Sequence, residues 1–160
     1  GRDVQLMTVS VRPGRPNGAA SSFLSRMIRE PLAGQRAQVP VSPDTEVALS
    51  SAGRTIAGLV SAAQTSDKDW GARTAVNLPA PRTSVHEMAQ ALRKVGGQSA
   101  YDLLDWQIDA PVAKIVATWP GHVKGPRAAA LGLEPDADFE SIVREYVREN
   151  PDLVKRTASR

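Results

Sequence analysis

One stretch of the chain concentrates residue types that bind small anions. From Arg12 to Ser22 the sequence reads Arg-Pro-Gly-Arg-Pro-Asn-Gly-Ala-Ala-Ser-Ser, so two arginines, an Asn amide and two Ser hydroxyls fall within eleven residues. Arginine can hold a carboxylate or phosphate through two parallel hydrogen bonds. A helix starting at the serines would add free backbone N–H groups and the positive end of its dipole. The stretch therefore predicts a small-anion site. The plainer alternative is that the serines only cap, Asn17 only makes a turn and the arginines are solvated.

Other kinds of site have little support in the composition. The chain has no cysteine, which removes thiolate chemistry and fits a reducing cytoplasm. His86 and His122 lie far apart in sequence, so no metal site is expected. No apolar run approaches the roughly 18 residues that a membrane span needs. We therefore expect a cytoplasmic protein with no membrane partner and no metal.

Positive charge is concentrated at one end of the chain. The formal net charge is +3, and residues 1–40 carry six arginines against Asp3 and Glu30. Nucleic-acid binders usually show a longer basic stripe with interleaved aromatic residues. Phe23 is the only aromatic residue in that region. The charge pattern thus favours a small anionic ligand and no nucleic-acid partner.

The elements around this stretch are a strand before it and a helix after it. Alternating residues over 6–11 predict a strand, and two prolines and two glycines end it. Ser21 or Ser22 is expected to cap a helix that carries Phe23, Met27 and Ile28 on one face. Further strands are expected over 36–41, 45–49, 74–78 and 100–107, with a weak helix over 110–118 and a short one over 127–131.

Three more helices are marked by caps and apolar periodicity. They begin after Ser51, at the Ser84–Glu87 capping box, and at Asp138. In the first helix the apolar residues at helical spacing are Ile56, Leu59, Val60 and Ala63. In the second they are Val85, Met88, Leu92 and Val95, and Gly96-Gly97 is expected to end the helix. In the third they are Phe139, Ile142, Val143, Tyr146 and Val147. The order predicts an α+β (mixed α/β) fold with about three strands or strand pairs and four to five helices, packed against something else.

Several blocks resemble a known family. They are Thr8–Gly14 with Pro16-Asn17, Ala19–Phe23, Ile28–Leu32, Ser50–Leu59, Arg127–Leu133 and Phe139–Val143. Together they resemble D-erythronate dehydrogenase-like members of the NAD-dependent epimerase/dehydratase (extended short-chain dehydrogenase) family. The resemblance covers nearly the whole chain, and its first block is the most specific.

The resemblance implies that the chain is only the C-terminal half of such a protein. Residues 1–35 would be the last strand, loop and helix of the Rossmann domain, and residues 36–160 the small substrate-binding lobe. The chain opens without Met and runs straight into a strand, which also favours a piece of a longer protein. The missing partner would be the N-terminal Rossmann half.

Site roles follow from the same resemblance. Pro13 and Gly14 match the strand end beside the nicotinamide ring of the cofactor, and Arg12 matches a structural residue at the base of the loop. The expected substrate contacts are Arg15, Asn17, Ser21, Ser22 and Arg54. Arg15 stands where small residues are usual in the family, and Ala52-Gly53 replaces its Ser-Pro.

Two family motifs are absent. The chain has no Gly-x-Gly-x-x-Gly fingerprint for the pyrophosphate, and neither Tyr101 nor Tyr146 is followed by a lysine four residues later. The chain alone is therefore not expected to transfer hydride and holds no expected catalytic residue. The cofactor of the complete protein would be NAD, or NADP, since the residue that chooses between them is not in this chain.

The resemblance implies oxidation of a secondary hydroxyl of a small, anionic sugar acid by the complete protein. Two alternatives stay open: a non-catalytic module that binds a small anion or sugar phosphate, and half of a nucleotide-sugar epimerase. A homodimer is expected only because extended dehydrogenases commonly dimerise.

Overall fold

The computed structural model describes residues 2–14, 18–71, 74–121 and 125–154. The strands are β1 (Val4–Gln5), β2 (Thr8–Val9), β3 (Ala37–Val39), β4 (Glu46–Ser50), β5 (Val76–Asn77), β6 (Arg82–Ser84) and β7 (Leu104–Trp106). The α-helices are α1 (Ser22–Leu32), α2 (Ala52–Gln64), α3 (Asp67–Trp70), α4 (Val85–Tyr101), α5 (Ala110–Val116), α6 (Pro126–Ala130) and α7 (Phe139–Glu149), and a 3₁₀ turn follows at Pro151–Leu153. The mixed α/β class is confirmed.

The strands form three small sheets. β2 pairs in parallel with β4, with Val9 opposite Ser50, and β4 pairs with β6 in antiparallel. The other two sheets are the parallel pairs β1–β5 and β3–β7. Of the strand predicted over 6–11, only Thr8–Val9 is strand, and β1 lies just before that range and pairs with a different strand.

The main core lies where α1 packs against β3 and α4, and where α4 packs against α7. The predicted apolar faces of α1 and α7 are buried there, with Met27, Ile28 and Val143 fully enclosed. Helix α1 runs one residue past Pro31, ending at Leu32 before Gly34 at φ 77°. The Ser84–Glu87 capping box is present, and Asp138 caps α7 as predicted. These two helices were specified by local sequence.

A second, smaller core joins α2, α3, β5 and α6. Its buried members are Ala62, Trp70, Val76, Leu78, Ala128 and Leu133. Arg127 lies over the Trp70 ring, 5.1 Å from its centroid, and donates hydrogen bonds to the carbonyl oxygens of Trp70 and Thr74. Trp70 is thus a packing residue of the second core, where α3 and α6 meet the segment before β5.

The prediction for the buried face of α2 was wrong. Ile56, Leu59 and Val60 are 62, 42 and 49% exposed, and Ala63 is exposed too. The buried positions are instead Thr55, Gly58 and Ala62. A Cβ on Gly58 would stand 2.8 Å from Leu78 Cδ2, so the helix packs closely through its small residues.

Other boundaries also differ from the sequence prediction. The described residues hold seven α-helices against the four to five expected, and α3, a four-residue helix with no apolar repeat, is one that the sequence did not indicate. The predicted end at Gly96-Gly97 is a break within α4: Gly97 has non-helical backbone angles (φ 82°, ψ 175°), and a second helical stretch follows it to Tyr101. Strand β7 is correspondingly shorter than residues 100–107. Of the helices described, none is long and apolar enough to cross a membrane.

Candidate functional site

The carboxyl end of β2 leads into the predicted anion-binding stretch. Ser10 N donates to Ser50 O at 3.0 Å, which continues the β2–β4 pairing. Arg12 follows, and both of its backbone groups are bonded from α1: its N–H donates to Ser25 Oγ at 3.1 Å, and its carbonyl accepts from Arg29 Nη1 at 2.9 Å. The base of the loop is therefore fixed through the backbone of Arg12.

Pro13 and Gly14 are both exposed at this strand end. Gly14 has φ 118°, a conformation that side-chain-bearing residues rarely adopt, and apart from its chain neighbours no described residue lies within 4 Å of where its Cβ would stand. Within the described part of the chain, nothing covers the strand end on this side. Arg15 and Asn17, two of the predicted substrate contacts, lie outside the described residues.

Ser21 and Ser22 lie at the start of α1, partly exposed. Ser21 occupies the N-cap position, but its side chain makes no capping hydrogen bond, and the first turn of the helix has no acidic residue. The expectation that a serine hydroxyl caps this helix is therefore wrong, because Ser21 has helical backbone angles (φ −72°, ψ −12°). No carboxylate of the first turn competes for the positive end of the dipole.

Arg54 lies in the first turn of α2, and its N–H donates to Ser51 Oγ at 3.0 Å. Its exposed guanidinium is 3.9 Å from the exposed carboxylate of Glu134. Arg54 borders a small cleft of about 60 Å³ with Ser50, Gly58 and Leu78, among others. Pro13 borders a different cleft of about 240 Å³, which Ser51 and Tyr146 also line. Arg54 and Pro13 therefore line two different clefts.

The N-terminus of α2 is occupied by carboxylates of this chain, which sequence reasoning missed. Asp136 Oδ2 accepts from Ser51 N at 2.8 Å, and both residues are buried. Glu145 Oε1 accepts from Gly53 N at 3.0 Å. A Cβ on Gly53 would be 2.7 Å from that oxygen, so the glycine makes the approach easy. A substrate anion would therefore meet negative charge at α2 but not at α1.

Tyr146 of α7 is a buried polar group in the cleft beside Pro13. The residue is 3% exposed, and no described residue forms a hydrogen bond with its hydroxyl. Burial raises the pKa of the Tyr146 hydroxyl, and the positive charge of Arg29 opposes that rise. Because this pKa is raised from an ordinary value that already lies well above neutral, the hydroxyl stays protonated near neutral pH.

No group of three or more His, Asp or Glu side chains within the described ranges could hold a metal ion. What this region offers instead is an open strand end, a helix start without acidic competition, and an exposed arginine. These features suit the binding of a small anion beside a flat surface.

Comparisons with known proteins point to one group. No family model matches the sequence. The D-erythronate dehydrogenase of Cupriavidus necator is 43% identical over 149 residues, which is 93% of this chain and 46% of that protein. The D-erythronate dehydrogenase of Haemophilus influenzae is 34% identical over 144 residues, 90% of this chain and 46% of that protein.

Among solved structures, the nucleoside-diphosphate-sugar epimerase from Agrobacterium tumefaciens matches with a TM-score of 0.91 and 30% identity. The match covers 95% of this chain and 44% of that one. The chain therefore spans about half the length of the curated relatives it matches.

Proposed function

This chain belongs to the NAD-dependent epimerase/dehydratase family, as its sequence blocks indicated, and we propose that it is the substrate-binding portion of an NAD-dependent oxidoreductase. The complete protein would oxidise a secondary hydroxyl of a small sugar acid. The observation that carries the proposal is the 43% identity to a D-erythronate dehydrogenase across 93% of the chain. That identity spans the loop and helix start that form the candidate site.

On the cofactor side, Pro13 and Gly14 fit one wall of a nicotinamide site. Both are exposed at a strand end, and apart from its chain neighbours no described residue fills the space where a Cβ of Gly14 would stand. Cofactor pockets in open α/β folds lie beyond the carboxyl ends of strands, which is where these residues stand. NAD or NADP, when bound, supplies the hydride acceptor. The chain has no glycine-rich fingerprint, so the pyrophosphate site would belong to the missing N-terminal half.

On the substrate side, α1 is the better anion site of the two helix starts. Ser21 has a hydroxyl that makes no cap, and the first turn of α1 has no carboxylate. At α2 the corresponding N–H groups already bond Asp136 and Glu145. We therefore assign the substrate carboxylate to Ser21, Ser22 and the loop residues Arg15 and Asn17.

Arg54 is the further substrate contact in this proposal. Its pairing with Glu134 spans 3.9 Å between exposed groups, and such pairs contribute little free energy. The guanidinium can therefore exchange Glu134 for a substrate carboxylate at small cost. Its role is to attract and hold the acid, while proton transfer belongs to groups outside this chain.

The test is steady-state kinetics of the complete protein with D-erythronate and other small sugar acids. Arg15→Ala and Arg54→Ala should each lower kcat/KM for acids by about tenfold or more, the value of a hydrogen bond to a charged group. Arg148→Ala is the matched control, because Arg148 is an exposed arginine of α7 that lines neither the Arg54 cleft nor the Pro13 cleft. Unchanged kcat/KM in both site variants would refute the anion contacts.

A second candidate is half of a nucleotide-sugar epimerase, favoured by the 0.91 TM-score to a solved nucleoside-diphosphate-sugar epimerase. The two functions differ in their products. An epimerase would interconvert nucleotide sugars without net NADH, whereas the proposed oxidoreductase accumulates NADH with a free sugar acid. The missing Rossmann half, a homodimer and a cytoplasmic location belong to the proposal as well.

A further inference from the structure

We propose that Ser25 and Arg29 of α1 are positioning residues that fix the Arg12–Pro13 peptide, and with it the wall proposed to contact the cofactor. The inference rests on the proposed function for its effect on turnover. Its structural part stands on contacts within this chain alone.

The geometry is a two-point clamp. Ser25 Oγ accepts from Arg12 N at 3.1 Å, and Arg29 Nη1 donates to Arg12 O at 2.9 Å. Residues four apart on a helix lie on the same face, so the two side chains reach the same peptide segment. Both hydrogen-bonding groups of the Arg12 backbone are thereby bonded to one helix.

Among the described residues, the clamp is the backbone anchor next to Pro13 in the chain. Proline has no N–H to bond, so Pro13 cannot be held through its own nitrogen. On the preceding side, Ser10 is anchored at two points: its N–H donates to Ser50 O at 3.0 Å, and its Oγ donates to Leu24 O at 3.1 Å. Beyond the clamp, Gly14 has φ 118°, in the region that favours glycine. The position of Pro13 therefore depends on what holds Arg12.

The shortest contact of the Arg29 guanidinium in this arrangement is to the Arg12 carbonyl. Its side chain is largely buried, and Glu30 Oε1 is 3.8 Å away from Nη2. Glu30 has a closer partner in Arg26, whose Nε donates at 3.0 Å. Arg29 also places positive charge near Tyr146, where it opposes the rise in the pKa of that hydroxyl. Arg29 thus bridges the base of the loop and the cleft beside Pro13.

Loss of the clamp should show as slower chemistry more than as weaker binding. A displacement of about 1 Å at the reacting groups can cost about a hundredfold in rate. An interaction that only orients the reactants lowers kcat and kcat/KM together. We expect Arg29→Met and Ser25→Ala to lower kcat by about tenfold or more, with KM for the acid within about threefold of wild type. Arg29→Lys, which keeps a charged donor, should recover part of the loss.

The experiment combines kinetics with hydrogen exchange on the complete protein. Arg36→Met is the control, because Arg36 is an exposed arginine just beyond α1 and should leave both readouts unchanged. In Arg29→Met and Ser25→Ala, the amides of Val11, Arg12 and Gly14 should exchange at least about tenfold faster than in wild type. Ser25→Ala keeps the test intact if Arg29→Met does not fold.

The outcomes separate the two claims. Unchanged exchange at Val11, Arg12 and Gly14 in folded Ser25→Ala would overturn the clamp, whatever the enzyme does. Faster exchange with unchanged kcat would overturn its positioning role. Faster exchange in a protein that forms no NADH with any sugar acid would support the clamp and reject the proposed function.

Discussion

The buried bond between Asp136 and the Ser51 N–H should be among the more costly single contacts to remove. Its two atoms are 2.8 Å apart, and both residues are buried. Asp136→Ala would leave a buried N–H without its acceptor, and a hydrogen bond to a charged group contributes about 1.5–3 kcal/mol. A domain of this size loses about 2–4 °C in Tm per kcal/mol, so the expected fall is about 3–12 °C. Asp136→Asn keeps an acceptor oxygen and should lose less.

Urea denaturation and thermal melting of wild type, Asp136→Ala, Asp136→Asn and Glu134→Ala measure the effect. Glu134 is the matched control, since it lies two residues away with an exposed carboxylate 3.9 Å from Arg54. Exposed pairs of this kind contribute about 0–1 kcal/mol. Equal losses for Asp136→Ala and Glu134→Ala would refute the assignment of a buried carboxylate at the start of α2.

Three other perturbations test separate parts of the structure. Tyr146→Phe removes a buried hydroxyl with no described partner and should raise the free energy of unfolding by about 1 kcal/mol; a fall would show that the hydroxyl is bonded. The hydrogen bond from the Ser84 N–H lowers the pKa of the Glu87 carboxyl below its ordinary value of 4.5. The ionised carboxylate therefore stabilises the fold at pH values above 4.5, and this stabilisation is lost as the pH falls through the lowered pKa. Glu87→Gln should therefore flatten the acid side of a stability–pH curve, and a curve as steep as wild type would contradict the assignment. The exposed apolar face of α2 should make the isolated chain self-associate. Sedimentation velocity should show less association in the double variant Ile56→Glu/Leu59→Glu. The control variant Ile108→Glu, which changes an exposed side chain outside α2, should associate as wild type does. Equal association in both variants would contradict a role for this face.

Helices with strong local signals were predicted well. The Ser84–Glu87 box and the Asp138 cap depend on contacts within four residues, and both are confirmed. The Glu140–Arg144 ion pair of α7 is likewise a contact within one turn and is present at 2.6 Å. Such features are readable because the interacting groups are fixed by helix geometry alone.

Contacts between distant segments could not be read from the sequence. Asp136 and Ser51 are 85 residues apart, and Glu145 and Gly53 are 92 apart. The buried face of α2 was predicted wrongly for the same reason. Apolar periodicity indicated Ile56 and Leu59, whereas the helix is buried at Gly58 and Ala62, with Gly58 close against Leu78. In the candidate site, the sequence indicated the loop and the helix start. It did not indicate the clamp by Ser25 and Arg29, because both side chains bond the backbone of Arg12, which lies 13 and 17 residues away in the chain.

The measurement that tests the central claim most directly is NADH formation by the complete protein, followed at 340 nm with NAD and a panel of substrates. The panel should contain D-erythronate, other small sugar acids, their uncharged polyols and nucleotide sugars. The proposal expects NADH with at least one small sugar acid, a much lower kcat/KM for the matching polyol, and none with nucleotide sugars. Equal rates with acids and polyols, or turnover of nucleotide sugars alone, would contradict the assignment of this chain as the sugar-acid-binding portion of an oxidoreductase.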